Sequence, residues 1–438
     1  MLQKLSNHIA NNLPFLKDKK LLIAISGGVD SVVLTHLLSK LNFGVSLAHC
    51  NFKLRTTESD LDEDFVKKLG DELNIPVFTT HFNTTQYAKE NKQSTQIAAR
   101  NLRYNWFNQL INQHQFNYLL TAHHADDNLE TFLINLTRGS GLDGLTGIPE
   151  INGNIVRPLL TFSREAILAF ATENNIAWRE DKSNASTKYT RNKVRHLILP
   201  ILKEINPSLL ETFANTTAHL KESQQIIEDK ISDISKQIIS SDKDIKKLNI
   251  KELEKTSNPK AYLYQLLKEY NFTEWNDVYQ LLSAQSGKQI HSKTHVLLKD
   301  RNYLILRKKS ISTSKENIFI IDKNLTEITQ PIHLKIETVK EKSTKNKQTI
   351  YVDKQSLDFP LKLRKWKDGD FFYPSGMAGK KKLSKFFKDE KLSLIEKENT
   401  WLLCNNNNAI IWIVNYRQDN RFLAKELSNN ILKFSFIQ

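Results

Sequence analysis

A chain of 438 residues, 39% of them apolar, is long enough for about three domains and for a real buried core. No apolar run approaches the ~20 residues that span a bilayer, and residues 1–20 lack a signal-peptide block. Cys50 and Cys404 are too far apart in sequence for a disulfide framework or a zinc spacing, so a cytoplasmic protein with no membrane partner is expected. The net charge of +15 favours a polyanionic partner, although a Lys- and Asn-rich composition from an AT-rich genome accounts for the same excess.

Residues 21–25 form a continuous apolar run, the pattern of a buried parallel strand. Gly27 and Gly28 break it, and Val32, Val33, Leu34, Leu37 and Leu38 follow at helical spacing. Strand, glycine turn and helix together point backbone N–H groups and a helix N-terminus at one spot, which suits a phosphate. No Gly-Lys-Ser/Thr follows and the glycines are adjacent, so the loop is neither a Walker A loop nor a dinucleotide fingerprint. Further strands are expected at 44–50, 77–81 and 118–122, and helices at 30–41, 59–73, 95–112 and 126–137. This alternation predicts an α/β fold, a parallel sheet with helices on both faces, whose ligands sit at the carboxyl ends of the strands.

The helix at 95–112 carries Arg100 and Arg103, one turn apart. The strand at 118–122 runs into His123-His124-Ala125-Asp126-Asp127-Asn128-Leu129-Glu130. On a helix, Asp126 and Asp127 lie four and three residues before Glu130, so these carboxylates can converge. Acids beside a phosphate loop call for cations, with Mg²⁺ and a substrate amine as candidates. Helix capping would account for part of the same cluster. The loop from Arg138 to Gly147 holds four glycines, with Leu142, Leu145 and Ile148 marking it as packed. From Lys188 to Lys203 there are five Lys or Arg and no acid; Arg191 and Arg195 share a helix face, either as phosphate contacts or as a solvated surface.

Residues 205–310 read as a small, mostly helical domain ending in a hairpin, and 311–345 as a linker with strand-like pieces. Residues 346–438 read as an α+β, β-rich C-terminal domain. Within it, residues 361–391 hold ten Lys or Arg and four acids, interleaved with Trp366, Phe371, Phe372 and Tyr373. That mixture suits RNA backbone and base contacts, or the aromatics fill a small core.

Ser26-Gly27-Gly28-Val29-Asp30-Ser31 resembles the pyrophosphate loop of the N-type ATP pyrophosphatases. The ordered set of motifs resembles more narrowly the tRNA(Ile)-lysidine synthetases. The set comprises this loop, Ala99–Tyr104, His123–Thr131, the Arg138–Gly147 loop, Asp181–Asn184 with Tyr189–Asn192 and Arg195, Arg364–Phe387, and Arg417–Phe422. The resemblance implies an adenine nucleotide α-hydrolase-like fold over residues 1–204, with ATP and Mg²⁺ as cofactors. Its reaction is ligation of free L-lysine to C2 of the wobble cytidine in a tRNA(Ile) with a CAU anticodon, through an adenylated cytidine, so that reading changes from AUG to AUA. It assigns Ser26, Gly27, Gly28, Val29, Asp30 and Ser31 to ATP and Asp30 to Mg²⁺. It assigns Asp126, Asp127 and Glu130 to lysine, and Asp30, Asp127, Glu130 and Arg191 to catalysis. The tRNA falls to Arg100, Arg103, Arg191, Arg195, Lys380, Lys381 and Lys382, and a homodimer is among the expectations. Gln96 and Cys50 depart from the family pattern. A tRNA thiolase or another pyrophosphate-loop tRNA-modifying enzyme is the nearest alternative, and two isolated cysteines argue against sulfur transfer. An amide-forming synthetase would need a glutaminase pattern that is lacking, and a non-catalytic tRNA-binding protein would not need an intact loop.

Overall fold

Leu21, Leu22 and Ile23 are fully buried, and they form the centre of a sheet in the structure, a computed structural model. It describes all residues except 55–56, 181–189, 243, 310–317, 343–345, 378, 425–429 and 438. The chain divides into two units, Met1–Glu228 and Asp229–Gln438.

In the first unit the strands are β1 (Leu21–Ala24), β2 (Val45–Asn51), β3 (Val77–His81), β4 (Tyr118–Leu120), β5 (Ile151–Asn152) and β6 (Ile155–Val156). Their order is β3-β2-β1-β4-β6-β5. All neighbours are parallel except the β5–β6 pair. The helices are α1 (Leu2–Asn12), α2 (Val29–Lys40), α3 (Thr57–Leu73), α4 (Thr84–Glu90), α5 (Thr95–His114), α6 (Ala125–Thr137), α7 (Leu142–Leu145) and α8 (Arg164–Glu173). Strand alternation sends Leu21 and Ile23 into a core with Leu5, Val33, Leu37, Val66 and Ile167. Leu22 goes to the other face, against Phe107, Leu110 and Leu119. Both faces are therefore covered, which explains the unbroken apolar run of β1.

The basic stretch after residue 189 is α9 (Thr190–Lys193), a π turn (Val194–Ile198) and α10 (Leu199–Ile205). Then comes α11 (Leu209–Ile238), which starts in the first unit and ends in the second.

The second unit corrects one expectation. The segment read as mostly helical contains a five-stranded antiparallel sheet of Ile239–Asp242, Ile245–Asn249, Gln289–His291, His295–Asp300 and Tyr303–Lys308. Helices Pro259–Leu267 and Trp275–Gln280 pack on it through Leu263, Leu267 and Val278. The supposed linker also contributes structure: Phe319–Ile321 and His333–Val339 are strands of the two C-terminal sheets, whose core holds Trp412, Leu363 and Phe434. Among the described residues, no helix is long and apolar enough to cross a membrane.

Candidate active site

Residues 25–28 turn the chain from β1 into α2 at the carboxyl edge of the sheet. Gly27 has φ +90°, a conformation that side-chain-bearing residues rarely adopt. Ser31 Oγ donates to the Gly28 carbonyl at 3.0 Å and accepts from the Ser26 N–H at 3.2 Å. Ser26 Oγ accepts from the Gly28 N–H at 3.3 Å. No side chain caps the first turn of α2, so its N-terminus is open to an anion. The loop is braced from behind. His49 Nδ1–H donates to the Ile25 carbonyl at 3.0 Å, and the Arg179 N–H donates to the Gly27 carbonyl at 3.0 Å.

Asp30 lies in the first turn of α2, and its Oδ1 is buried without a hydrogen-bond partner. His124 Nε2 is 3.8 Å away. Burial raises the Asp30 pKa, against opposing pulls from His124, Arg164 and Arg195. A buried, unpartnered carboxylate oxygen beside an open helix N-terminus fits a hard cation shared with phosphate oxygens. Among the described residues no group of three or more His, Cys, Asp or Glu could hold a metal by itself, so phosphate would have to complete the shell.

The acidic helix resolves the capping question. His124, rather than either aspartate, caps α6, and Asp127 completes the capping box by accepting from the His124 N–H at 3.2 Å. The Asp127 N–H donates to His124 Nδ1, and His124 Nε2 lies 3.4 Å from Asp127 Oδ2. Burial alone would raise the Asp127 pKa, but His124, Arg191, His123 and Arg195 outweigh it and the net shift is downward. Burial pushes His123 down to about 4, so its ring is neutral near pH 7.

Glu130 is fully buried and is the anchor of the arginine pair. It accepts from Arg191 Nε at 2.8 Å, and from Arg195 Nε at 2.5 Å and Nη2 at 3.0 Å. Arg195 Nη2 also reaches Asp127 Oδ1 at 2.9 Å. The two arginines are thus not a solvated face. They bridge α6 and the 190–198 segment.

Asp126 does not join this group. Its carboxylate accepts from the Arg164 N–H at 2.8 Å and from Lys203 Nζ, so it ties α6 to α8 and α10. Sequence reasoning names His124 and Lys203 without giving either a role: the expected cap is an aspartate, and the Lys203 contact to Asp126 spans 77 residues.

The loop and the charged pairs meet in one cavity of about 330 Å³, lined by Ser26, Asp30, Ser31, Arg103, His123, Asp127, Arg191 and Arg195. A second cavity of about 210 Å³ shares Ser26 and Arg103 with it, and is walled by His49, Cys50, Asn51, Phe52 and Phe107. The Phe52 and Phe107 rings in its wall suit a planar base. Arg103 packs over the Phe52 ring and Arg100 over Tyr104. The glycine-rich loop is stapled to α6: Asn135 Nδ2 donates to the Gly144 carbonyl, and Asn128 Oδ1 accepts from the Ile148 N–H. Asp181–Asn184, Lys188 and Tyr189 lie outside the described residues.

In the second unit, Lys380 and Lys382 are exposed, while Lys381 pairs with Asp389 at 2.7 Å. Phe372 is core, whereas Phe371 is exposed with Lys380 Nζ 4.7 Å from its ring centre. Part of the C-terminal motif is structural. Arg364 makes two 2.8 Å bonds to Asp370, and fully buried Asp419 holds the Tyr373 N–H and Arg421.

A family model described as a PP-loop domain matches residues 1–202. Models described as a TilS substrate binding domain and a TilS substrate C-terminal domain match residues 240–309 and 361–433. The tRNA(Ile)-lysidine synthase of Parabacteroides distasonis is 42% identical, covering 96% of both chains. That of Bacteroides thetaiotaomicron is 37% identical over 99% of both. That of Caldanaerobacter subterraneus is 30% identical over 100% of this chain and 97% of its own.

Proposed function

We propose that this chain, which belongs to the tRNA(Ile)-lysidine synthase family, uses ATP to join the ε-amine of lysine to C2 of the wobble cytidine in a tRNA(Ile) with a CAU anticodon. The observation that carries this reading is the meeting of the phosphate loop, Asp30, Asp127 and the arginine pair in one cavity. ATP adenylates the C2 oxygen of the cytidine and releases pyrophosphate; the lysine amine then attacks C2 and AMP leaves.

Each residue's part follows from its surroundings. The loop N–H groups, Ser26 and Ser31 hold the phosphates that become pyrophosphate. Mg²⁺ held by Asp30 would offset charge on that leaving group. Asp127, ionised at neutral pH, receives the lysine ammonium, which must lose a proton before attack. Glu130 acts one step removed, by aligning Arg191 and Arg195 toward a tRNA phosphate. Arg103 extends the cationic wall of the same cavity system, Arg100, one turn before it on α5 and stacked on Tyr104, adds a tRNA contact, and Lys380, Lys381 and Lys382 supply phosphate contacts in the second unit. The activity belongs in the cytoplasm, where tRNA, ATP and free lysine meet.

Sulfur transfer is disfavoured. Burial pushes both Cys50 and Cys404 up to about 12, so neither thiol is ionised near pH 7. The test is incorporation of labelled lysine into a tRNA(Ile) transcript with a CAU anticodon, with ATP and Mg²⁺, alongside Asp30→Ala. Incorporation that needs ATP and vanishes in the variant supports the reading. AMP release without lysine incorporation would redirect it to another nucleophile.

A further inference from the structure

We infer that Arg179 is a positioning residue for the pyrophosphate loop, acting on the Gly27–Gly28 peptide from behind and touching no substrate. This rests on the assignment of the loop to ATP phosphates.

The geometry begins at Gly27. In a trans peptide the carbonyl and the following N–H point in opposite directions. The Gly27 carbonyl accepts from the Arg179 N–H at 3.0 Å. Fixing that oxygen outward turns the Gly28 N–H inward, to the side where Ser26 Oγ and the open N-terminus of α2 lie. A glycine pair with φ +90° at Gly27 has many other peptide orientations within reach, and the Arg179 bond holds this one from outside while the weaker 3.3 Å bond to Ser26 Oγ holds it from within.

The anchor is itself held. Arg179 Nε donates to Asp62, and Nη2 donates to Glu58 at 2.8 Å, both on α3. The same helix backs the loop: a Cβ at Gly27 would meet Phe65 and Val66 at ordinary contact distance. Loop, α3 and the irregular segment that carries Arg179 therefore form one joint. The guanidinium is the tie that keeps the Arg179 backbone against the loop. Planar, forked donors suit two carboxylates one helical turn apart; an ammonium satisfies them less well.

The test compares ligands with and without phosphates on the full chain. In calorimetry, Arg179→Ala is expected to weaken pyrophosphate binding about tenfold, on the order of one charge-assisted hydrogen bond, while adenosine binding changes less than about twofold. In turnover, KM for ATP rises and kcat at saturating ATP holds within about threefold. Arg179→Lys, which keeps the charge, falls between the two and guards against a folding failure of the alanine variant. Equal losses for pyrophosphate and adenosine would make Arg179 merely structural and overturn the inference. So would unchanged pyrophosphate affinity in Arg179→Ala. Failure of the unmutated protein to bind ATP or pyrophosphate would instead overturn the assignment of the loop.

Discussion

Replacing Glu130 by Gln removes a charge from a fully buried position while keeping the shape. The carboxylate takes three bonds from two arginines. The Arg191 side chain is 42% exposed, so its share is screened to about 0.5 kcal/mol. Arg195 is 20% exposed and makes two bonds, so its share is about 1.5–3 kcal/mol. The amide keeps one acceptor but turns an NH₂ toward a guanidinium, which prevents recovery of the remainder. The total loss is about 2–3.5 kcal/mol, which corresponds to a roughly 30- to 400-fold rise in opening. Because the bonds join α6 to the 190–198 segment, the loss should be local. Hydrogen exchange by mass spectrometry should show faster exchange in peptides covering α9, the π turn and α10, with the β1 and β2 peptides unchanged. Lysine incorporation should fall with it. A change below about 0.5 kcal/mol in those peptides would show that solvent already screens the pairs and that Glu130 does not anchor the arginines.

Asp30→Asn should lower lysine incorporation by about 10²–10³-fold, as expected for losing a group aimed at leaving-group charge, without loss of stability. Its folded pKa lies above the ordinary 3.8, so its favourable share is present at low pH and lost as pH rises through the folded value. Denaturation across that window should be flatter in the variant, and a less stable variant at neutral pH would contradict this. Gly27→Ala should cost about 1–2 kcal/mol of strain through φ rather than through a clash; ATP affinity measured by calorimetry should drop, and an unchanged value would refute the loop conformation. The His123 ring should stay neutral from pH 5 to 8, since its pKa is about 4; an NMR titration midpoint near 6.5 would refute its burial.

The phosphate loop was legible because its information is local: an apolar strand, two glycines and a helix within 20 residues. Convergence of Asp127 with Glu130 was legible for the same reason, since helical spacing sets it. The partner of Glu130 was not, because Arg191 and Arg195 lie more than 60 residues away. Asp126 shows the converse. Its spacing matched the acid cluster, but Lys203, 77 residues on, and the Arg164 N–H claim its carboxylate. The sheet of the second unit escaped because Ile239–Asp242, Ile245–Asn249 and Gln289–His291 are short and polar, with only Leu248 fully buried among them. Ile245–Asn249 and Gln289–His291 take their strand character from pairing with Tyr303–Lys308 and His295–Asp300, and Ile239–Asp242 adds on to Ile245–Asn249.

The pairing of Arg191 and Arg195 with Glu130 and Asp127 also bears on how binding responds to salt. A nucleic-acid phosphate carries condensed small cations, and a free surface arginine that neutralises it sends them into solution, at about 0.9 in the log–log salt slope per contact on a duplex. These two arginines hold protein carboxylates instead. A phosphate that meets either one is only partly neutralised, because the carboxylates already offset the guanidinium, and fewer of its condensed cations are set free. The cleft's contribution to tRNA affinity should therefore persist as ionic strength rises, while exposed lysines such as Lys380 and Lys382 lose theirs. Specific engagement of the reacting nucleotide would then gain weight over non-specific attachment as salt increases.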